Sequence, residues 1–473
     1  MTALALSEVV SVNILLNSAA VPQPAFAVPL ILGTSNRYTG GVLIEFFSSA
    51  TSMLVANGGV FMNTDAEYLK AVALTEQGIL PSTFGVGCQA AASITQVTTI
   101  TISAVTNTDT YSITVNGQTV TVTAGGSDTA TTVGDALTIA INALTGANVK
   151  ATNGSGGVVI LTAWNSTIQV GSTSEGAAWP GVGFSSSIGG TGVSTMSSVA
   201  TTANVSLVTG LQAIQAVNQG WYCVNICSTN WYDLLNMAAY IESQTLVFVG
   251  VTADAAVALN TCTFDVLSQL QAKDYNRTAI MYSGDASAEP DSAWTGANVP
   301  LPVGQSTWGN VALIGVTPDN LSQTQFNTIA GKPGTTVGKN GNVYVTIGGN
   351  NVVLWGQAVS GRFFDITIGI DWLTAQIQGN AWGTIVAARN AGGKIPYTNA
   401  GASILVGDVK EAIDLGAQQG LINEVDYPVT ITVGQVQNQS LSNQTNRVAP
   451  PIAFSCTLAG AFSTVTVNGV LSV

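Results

Sequence analysis

Strand-like and helix-like segments alternate between residues 207 and 282. Short apolar runs, which are typical of buried strands, are separated there by segments whose apolar residues recur at helical spacing. Strands joined by helices of this length predict a parallel sheet with right-handed crossovers. The predicted strands cover residues 221–227, 246–251 and 279–282. We therefore predict an α/β multidomain chain whose central parallel-sheet domain is formed by residues 21–89 and 205–310.

Residues 90–204 interrupt this domain with a different composition, rich in Thr, Ser and Gly. β-branched residues alternate along the segment, as expected for strands, and residues 133–144 have the spacing of a helix. The dipeptide Asn116-Gly117 lies between two alternating runs, which is a strong signal for a tight hairpin. We predict a separate β-rich insertion domain, placed on the outer surface of any assembly.

The chain after residue 310 changes pattern again and predicts a third domain of the α+β type over residues 311–451. A hairpin is predicted over residues 342–355, where two alternating runs flank a Gly-Gly turn. One helix is predicted to begin at Asp371 as its N-cap, and a second to cover residues 408–419, because acidic residues are favoured at helix starts.

Both ends of the chain read as strands that lie outside the compact domains. Residues 1–20 are predicted to form an N-terminal arm, in which alternate apolar residues share one face. Residues 452–473 repeat this pattern and predict a C-terminal strand arm. The alternating apolar residues are Val10, Val12, Ile14 and Leu16 in the first arm, and Ile452, Phe454, Leu458, Val465 and Val467 in the second.

Charged residues are scarce in this chain. The 12 Lys and Arg with 25 Asp and Glu make up 8% of the residues, where an ordinary globular protein has about 25%. Solubility of a free monomer usually depends on a charged surface, so we predict that the chain buries surface against copies of itself. The net charge of −13 argues against a nucleic-acid partner. The apolar runs are far shorter than the ~18 residues of a membrane span, so we predict no membrane insertion.

The sequence offers little chemistry for catalysis. Histidine is absent, which excludes Ser-His-Asp triads and HExxH zinc sites.

The Gly-rich loop at residues 331–340 departs from the phosphate-binding pattern and is predicted to be a surface turn. Asp365 and Asp371, near Arg362, are explained by helix capping and an ion pair. The five cysteines are an odd number and widely scattered, which argues against a disulfide framework, and Cys223 and Cys227 are predicted to be buried free thiols. We predict no catalytic, cofactor-binding or metal site.

Three stretches of the C-terminal half carry a family resemblance. They read GRFFDITIGIDWL at residues 361–373, KIPYTNAG at 394–401 and LAGAFSTVTVNG at 458–469. In these stretches the chain resembles the tail sheath proteins of contractile-tailed bacteriophages, and more narrowly a sheath family of myophages that was long of unknown function. The resemblance extends over residues 9–90 and 207–473.

The resemblance implies a structural subunit of the virion tail, assembled in the host cytoplasm and without a cofactor. Such subunits form stacked hexameric rings around a tail tube and send terminal strands into a neighbour's sheet. Contraction then drives the tube through the host envelope before DNA ejection. The implied partners are other copies of the chain, the tube protein, and the baseplate and tail terminator proteins. The predicted tube-facing residues are Arg389, Lys394 and Lys410.

Two other classes of protein remain open at this point. A β-rich surface-layer or adhesin-type protein would have a similar composition, but it would need an export signal, and we expect none because no Lys or Arg precedes Arg37. An α/β enzyme would place its site at the carboxyl ends of the central strands, near Ser228, Thr252 and Ser283.

Overall fold

The computed structural model describes residues 25–35, 37–88, 95–165, 177–178, 183–199, 207–263, 265–333, 335 and 337–462. The predicted N-terminal arm, with Val10, Val12, Ile14 and Leu16, lies outside these residues, as do Val465 and Val467. The described residues divide into two compact units, Ala25–Ile368 and Gly369–Gly460, and the division falls within one long helix.

The described residues form a mixed α/β structure with eighteen strands and ten α-helices. The strands are β1 (Pro29–Leu32), β2 (Ile44–Phe47), β3 (Phe84–Gly87), β4 (Val97–Ala104), β5 (Thr110–Val115), β6 (Gln118–Thr123), β7 (Val149–Asn153), β8 (Val158–Asn165), β9 (Ala177–Ala178), β10 (Ser186–Gly190), β11 (Val193–Val199), β12 (Cys223–Ile226), β13 (Val247–Thr252), β14 (Thr278–Tyr282), β15 (Asn342–Ile347), β16 (Asn350–Val353), β17 (Thr430–Val433) and β18 (Ile452–Ser455). The α-helices are α1 (Ala66–Thr75), α2 (Ala130–Asn142), α3 (Leu207–Val217), α4 (Trp231–Glu242), α5 (Val266–Gln271), α6 (Pro290–Asn298), α7 (Gln323–Ile329), α8 (Phe364–Asn390), α9 (Asn399–Gln418) and α10 (Leu441–Thr445).

The first unit is built on an eight-stranded sheet with the order β16-β15-β14-β13-β12-β1-β3-β2. The six inner strands are parallel to one another, and the edge strands β2 and β16 pair antiparallel with β3 and β15. All residues of β12, β13 and β14 are buried, as expected for parallel strands covered on both faces. The prediction of a parallel sheet from the strand and helix alternation is confirmed.

The sheet is larger than predicted, because β15 and β16 belong to it and not to a third domain beginning at residue 311. β15 pairs parallel with β14, with Asn342 opposite Met281. The hairpin pattern of residues 342–355 correctly predicts two strands. This local pattern does not indicate which sheet the two strands join, because β15 pairs with β14, about 60 residues earlier in the chain.

The insertion has its own apolar core within the first unit. It contains a sheet of β10, β5 and β6 and a second sheet of β11, β4, β8 and β7, with β9 paired to β8. Tyr111, Leu137 and Leu161 are among the residues buried between these strands and α2. Asn116 and Gly117 connect β5 to β6 with φ angles of 47° and 80°, the left-handed pair that a type I′ hairpin turn requires.

The second unit contains most of α8 together with α9, α10 and the β17–β18 pair. Both long helices begin earlier than predicted. α8 starts at Phe364 and encloses Asp371, and α9 starts after its N-cap Thr398 and encloses Asp408. Both aspartates are buried inside their helices. The start of α9 is stabilised instead by Thr398, whose side chain accepts a hydrogen bond from Gly401 N. None of the described helices is both long and apolar enough to span a bilayer.

Candidate functional site

The carboxyl ends of the central strands hold the three hydroxyl residues at which an enzyme site was considered. Ser228 Oγ donates a hydrogen bond to Asp233 Oδ2 at 2.7 Å. Thr252 Oγ1 accepts one from the main chain of the following loop, and Ser283 Oγ donates to the carbonyl of Asp285 at 3.2 Å. Each hydroxyl therefore closes a local turn. Among the described residues, no cluster of three or more His, Cys, Asp or Glu side chains could hold a metal ion.

Lys70 is the most deeply buried of the Lys and Arg side chains, and burial is one way in which a lysine becomes a catalytic nucleophile. Its side chain is 2% exposed, and Nζ lies 2.6 Å from Glu289 Oε2 and 2.8 Å from Asp291 Oδ1. Burial alone would lower the pKa of Lys70, but the charges of Asp291 and Glu289 outweigh it and raise this pKa above its ordinary value. A nucleophilic lysine requires the opposite shift. Lys70 is therefore a structural ion that joins α1 to α6.

The Gly-rich loop at residues 331–340 also contributes a structural charge. It was predicted to be a surface turn, and for Lys339 this is wrong, because the residue is buried. Lys339 Nζ lies 2.6 Å from Asp265 Oδ2 and donates to the carbonyls of Val257 and Leu259, each at 3.0 Å. These carbonyls end the 3-10 helix Ala255–Ala258, so the ammonium group caps that helix.

Asp365, in the first turn of α8, is a carboxylate that the fold isolates. Its Oδ1 is buried without a hydrogen-bond partner among the described residues, and the side chain lines a small cavity with Tyr222 and Trp308. Desolvation raises the pKa of Asp365 from 3.8 to about 6. Because the folded chain holds this proton more tightly than the unfolded chain, the stabilisation is present below pH 3.8 and is lost as the pH rises to about 6.

We expect Asp365→Asn to stabilise the first unit at neutral pH. A shift of about two pKa units corresponds to about 3 kcal/mol at full ionisation. The variant should therefore unfold in urea with a free energy about 2–3 kcal/mol higher than the wild type at pH 7. The difference should vanish below about pH 3, where the Asp365 side chain is neutral in both the folded and the unfolded chain. A difference that is the same at both pH values would contradict this assignment.

The β17–β18 pair in the second unit is an incomplete sheet. Its two strands are antiparallel and pair with no other strand of the described residues. Gly434 N donates to Pro451 O at 3.2 Å. Because bonded and non-bonded pairs alternate along an antiparallel ladder, the N–H groups of Ile431 in β17 and Phe454 in β18 point away from each other. Both edges of the sheet therefore present free main-chain groups.

The beginning of the predicted C-terminal arm is part of this sheet. Ile452 and Phe454 lie in β18 and pair with Val433 and Ile431 of the same chain, and Leu458 forms an isolated bridge with Ile422. Alternation of apolar residues correctly predicts extended chain here, but it cannot identify the partner strand. Ile452, Phe454 and Leu458 are therefore paired with residues of their own chain.

A second feature of this unit is a cavity of about 590 Å³ between the end of α8, the start of α9 and the segment before β18. Arg389, Lys394 and Arg447 line it, and none of its lining residues is acidic. We call it the basic groove. Two of the three predicted tube-facing residues meet here, whereas Lys410 lies on the exposed side of α9 and pairs with Asp414 at 2.6 Å. Sequence reasoning missed Arg447, which joins the groove from a segment more than 50 residues after Lys394.

The C-terminal part of the chain matches a known protein family. Residues 364–470 match the family model described as E217 tail sheath protein gp31-like, C-terminal domain. No protein of curated function matches the chain in sequence.

Solved structures of sheath proteins resemble the chain over most of its length. The helical sheath of the anti-feeding prophage in its contracted state is similar over 97% of this chain and 98% of that chain, with 10% identity and a TM-score of 0.50. A sheath tail protein from Listeria innocua is similar over 90% and 94%, with 11% identity and a TM-score of 0.45. The likeness to the helical sheath shows a shared fold.

The sequence match concerns the C-terminal unit of the chain. The hydroxyl and lysine residues considered for catalysis are taken up by structural contacts, while the C-terminal unit matches a sheath domain. Residues 364–470 thus match a domain of a phage tail sheath protein, as the resemblance in the sequence predicted, and that domain belongs to a family of structural proteins and not of enzymes.

Proposed function

We propose that the chain polymerises into a contractile sheath by lending its terminal strands to neighbouring copies. The observation that carries this proposal is the isolated β17–β18 pair. A two-stranded sheet is marginally stable in water, and exposed edges with free N–H and C=O groups accept further strands. Phe454 is 42% exposed on this pair, which leaves apolar surface for an added strand to cover.

The terminal segments have the pattern that such an edge accepts. In the N-terminal arm, Val10, Val12, Ile14 and Leu16 share one face, and Val465 and Val467 alternate in the same way near the other end. Added strands bind through main-chain hydrogen bonds, while alternate side chains enter the recipient's core. The arms of other copies would thereby turn the pair into a four-stranded sheet.

This linkage suits a lattice that contracts. Extended strands can stay joined while the folded bodies that they connect rotate between two packings, so that contraction is a rigid-body transition without nucleotide chemistry. We propose stacked hexameric rings around a tail tube, bounded by baseplate and terminator proteins and assembled in the host cytoplasm. In this scheme contraction drives the tube through the host envelope and precedes DNA ejection.

The other proposed surfaces follow from the same arrangement. The separate apolar core of the insertion supports its placement on the outside, because a domain with its own core can project without exposing the central sheet. Lys410 is 63% exposed on α9 and is retained as the proposed tube-facing residue. Arg389 and Lys394 lie in the basic groove, for which the geometry supports a different partner.

Ile431→Pro is expected to block assembly without unfolding the monomer. Proline removes the N–H that points to the open edge of β17 and leaves the bonds between β17 and β18 intact, which is where strands tolerate proline. We expect the variant to melt at the wild-type temperature and to form no tubes in negative-stain micrographs. Ile431→Ala, which keeps the N–H group, is the matched control and should assemble. Normal tubes from the proline variant would rule out this edge as an acceptor.

A further inference from the structure

The basic groove concentrates positive charge in a chain that has little of it. Arg389, Lys394 and Arg447 are three of the 12 Lys and Arg residues of the whole sequence. All three are exposed, and none forms an ion pair with a residue that the structure describes. Ile395 and Leu405 add apolar walls to the groove. Its volume of about 590 Å³ lies in the range of cavities that enclose a bound group. The groove therefore fits an occupant that is both acidic and apolar.

A loop of the same unit has this composition. Residues 423–428, between α9 and β17, read Asn-Glu-Val-Asp-Tyr-Pro and are called here the acidic loop. Val425 is 88% exposed and Tyr427 is 57% exposed, so both side chains are available to a partner. Asn423 holds the loop in shape, because its side chain bonds both the main chain and the carboxylate of Asp426. The carboxylates of Glu424 and Asp426 thus alternate along the loop with the exposed side chains of Val425 and Tyr427.

The acidic loop does not occupy the groove of its own chain. The groove contacts α9 in its first turns, up to Leu405. The loop follows the last turn, where Leu421 N donates to Gly416 O at 2.8 Å. Leu405 and Gly416 are 11 residues apart, which is about 16 Å along a helix. No residue of the loop lines the groove, so a loop that fills it comes from another copy.

We infer that the acidic loop of one copy binds in the basic groove of a neighbouring copy. The inference rests on the proposed function, because it requires that copies of the chain meet in an assembly. The loop and the groove are different surfaces, so the contact is heterologous: each copy gives its loop to one neighbour and receives a loop from another. Contacts of this kind generate closed rings or helices. The loop–groove contact would fix how each copy is placed against the next. The exchanged strands would keep neighbouring copies connected.

Charge reversal tests this contact. The groove-reversed variant carries Arg389→Glu with Lys394→Glu, and the loop-reversed variant carries Glu424→Lys with Asp426→Lys. Either variant alone opposes like charges at every contact, which should raise the concentration for half-maximal tube formation about tenfold or more. An equal mixture of the two variants restores opposite charges between unlike copies and should assemble like the wild type. Lys273→Glu with Lys332→Glu changes the net charge as much as groove reversal, on exposed residues of the first unit, and is the control.

The outcomes separate the contact from the proposed function. If the wild type forms tubes, and the single variants fail while their mixture recovers, the contact is supported. If the wild type forms tubes and the variants or their mixture show no such pattern, the contact is wrong and the sheath function stands. Tubes of the groove-reversed variant that form normally but detach from the tail tube would assign the groove to the tube. If the wild type itself stays monomeric, the proposed function fails together with the contact.

Discussion

Deletion of residues 1–17 is expected to abolish tube formation and to leave a folded monomer. The deleted segment ends before Ala25, the first residue of the compact unit Ala25–Ile368. In that unit β1 already has both neighbours, β12 and β3, from its own chain. We therefore expect the central sheet to stay intact and each acceptor sheet to lose a strand with several main-chain hydrogen bonds, each worth about 0.5–1.5 kcal/mol. Cooperative thermal unfolding and negative-stain microscopy measure the two results.

Full-length variants distinguish the loss of the strand from the loss of chain length. Val12→Asp with Ile14→Asp places charges on the apolar face of the arm and should prevent assembly as the deletion does, because buried unpaired carboxylates are costly. Ser11→Asp with Asn13→Asp adds the same charges to the opposite face, which an added strand leaves exposed, and should assemble. Normal tubes from the deletion variant would show that the arm is not required.

Lys70→Met is expected to cause the largest loss of stability. The substitution keeps an apolar side chain of similar length but leaves Glu289 and Asp291 without their cation in a buried site. Breaking a buried ion pair from one side costs about 3–5 kcal/mol, because the remaining charges are neither hydrated nor paired. We expect this decrease in the free energy of unfolding, measured by urea titration of the dilute protein at pH 7.

Two comparisons test the cause of this loss. Lys410→Met breaks the exposed pair with Asp414 and should leave the urea midpoint unchanged, since surface ion pairs contribute little. Combining Lys70→Met with Asp291→Asn and Glu289→Gln removes the unpaired charges and should recover much of the lost stability. A midpoint of Lys70→Met that equals the wild type would mean that the buried cluster does not stabilise the fold.

Local patterns in the sequence predicted local structure well. The alternation of strands and helices predicted the parallel arrangement of β12, β13 and β14, because such connections have few geometric solutions. The hairpin between β5 and β6 followed from Asn116 and Gly117, whose tolerance of positive φ belongs to the residues themselves.

The features that the sequence did not predict depend on contacts between residues that are far apart in the chain. The sequence did not reveal that β15 joins the central sheet, that Lys339 is buried against Asp265, or that Arg447 completes the basic groove. Lys70 and Asp291 are separated by 221 residues, and no periodicity connects them. From sequence alone a charged residue is predicted to be exposed, because a charge is rarely buried unless it is paired. Its burial can be predicted only when the partner residue is known.

The strand that pairs with each terminal segment is also not predictable from a local pattern. Alternating residues at 452–473 correctly predict extended chain at Ile452–Ser455, but the partner found there is Thr430–Val433 of the same chain. The main-chain bonds of an antiparallel pair are identical within and between chains. Only the edges that remain free in the folded unit indicate where a strand from another copy can bind.

Electron microscopy of the purified full chain tests the self-assembly of this protein most directly. We expect rings or hollow tubes at micromolar concentration, formed without nucleotide, metal or any other protein. A homogeneous population of single particles of 48.2 kDa at every concentration, with no rings or tubes, would contradict the account.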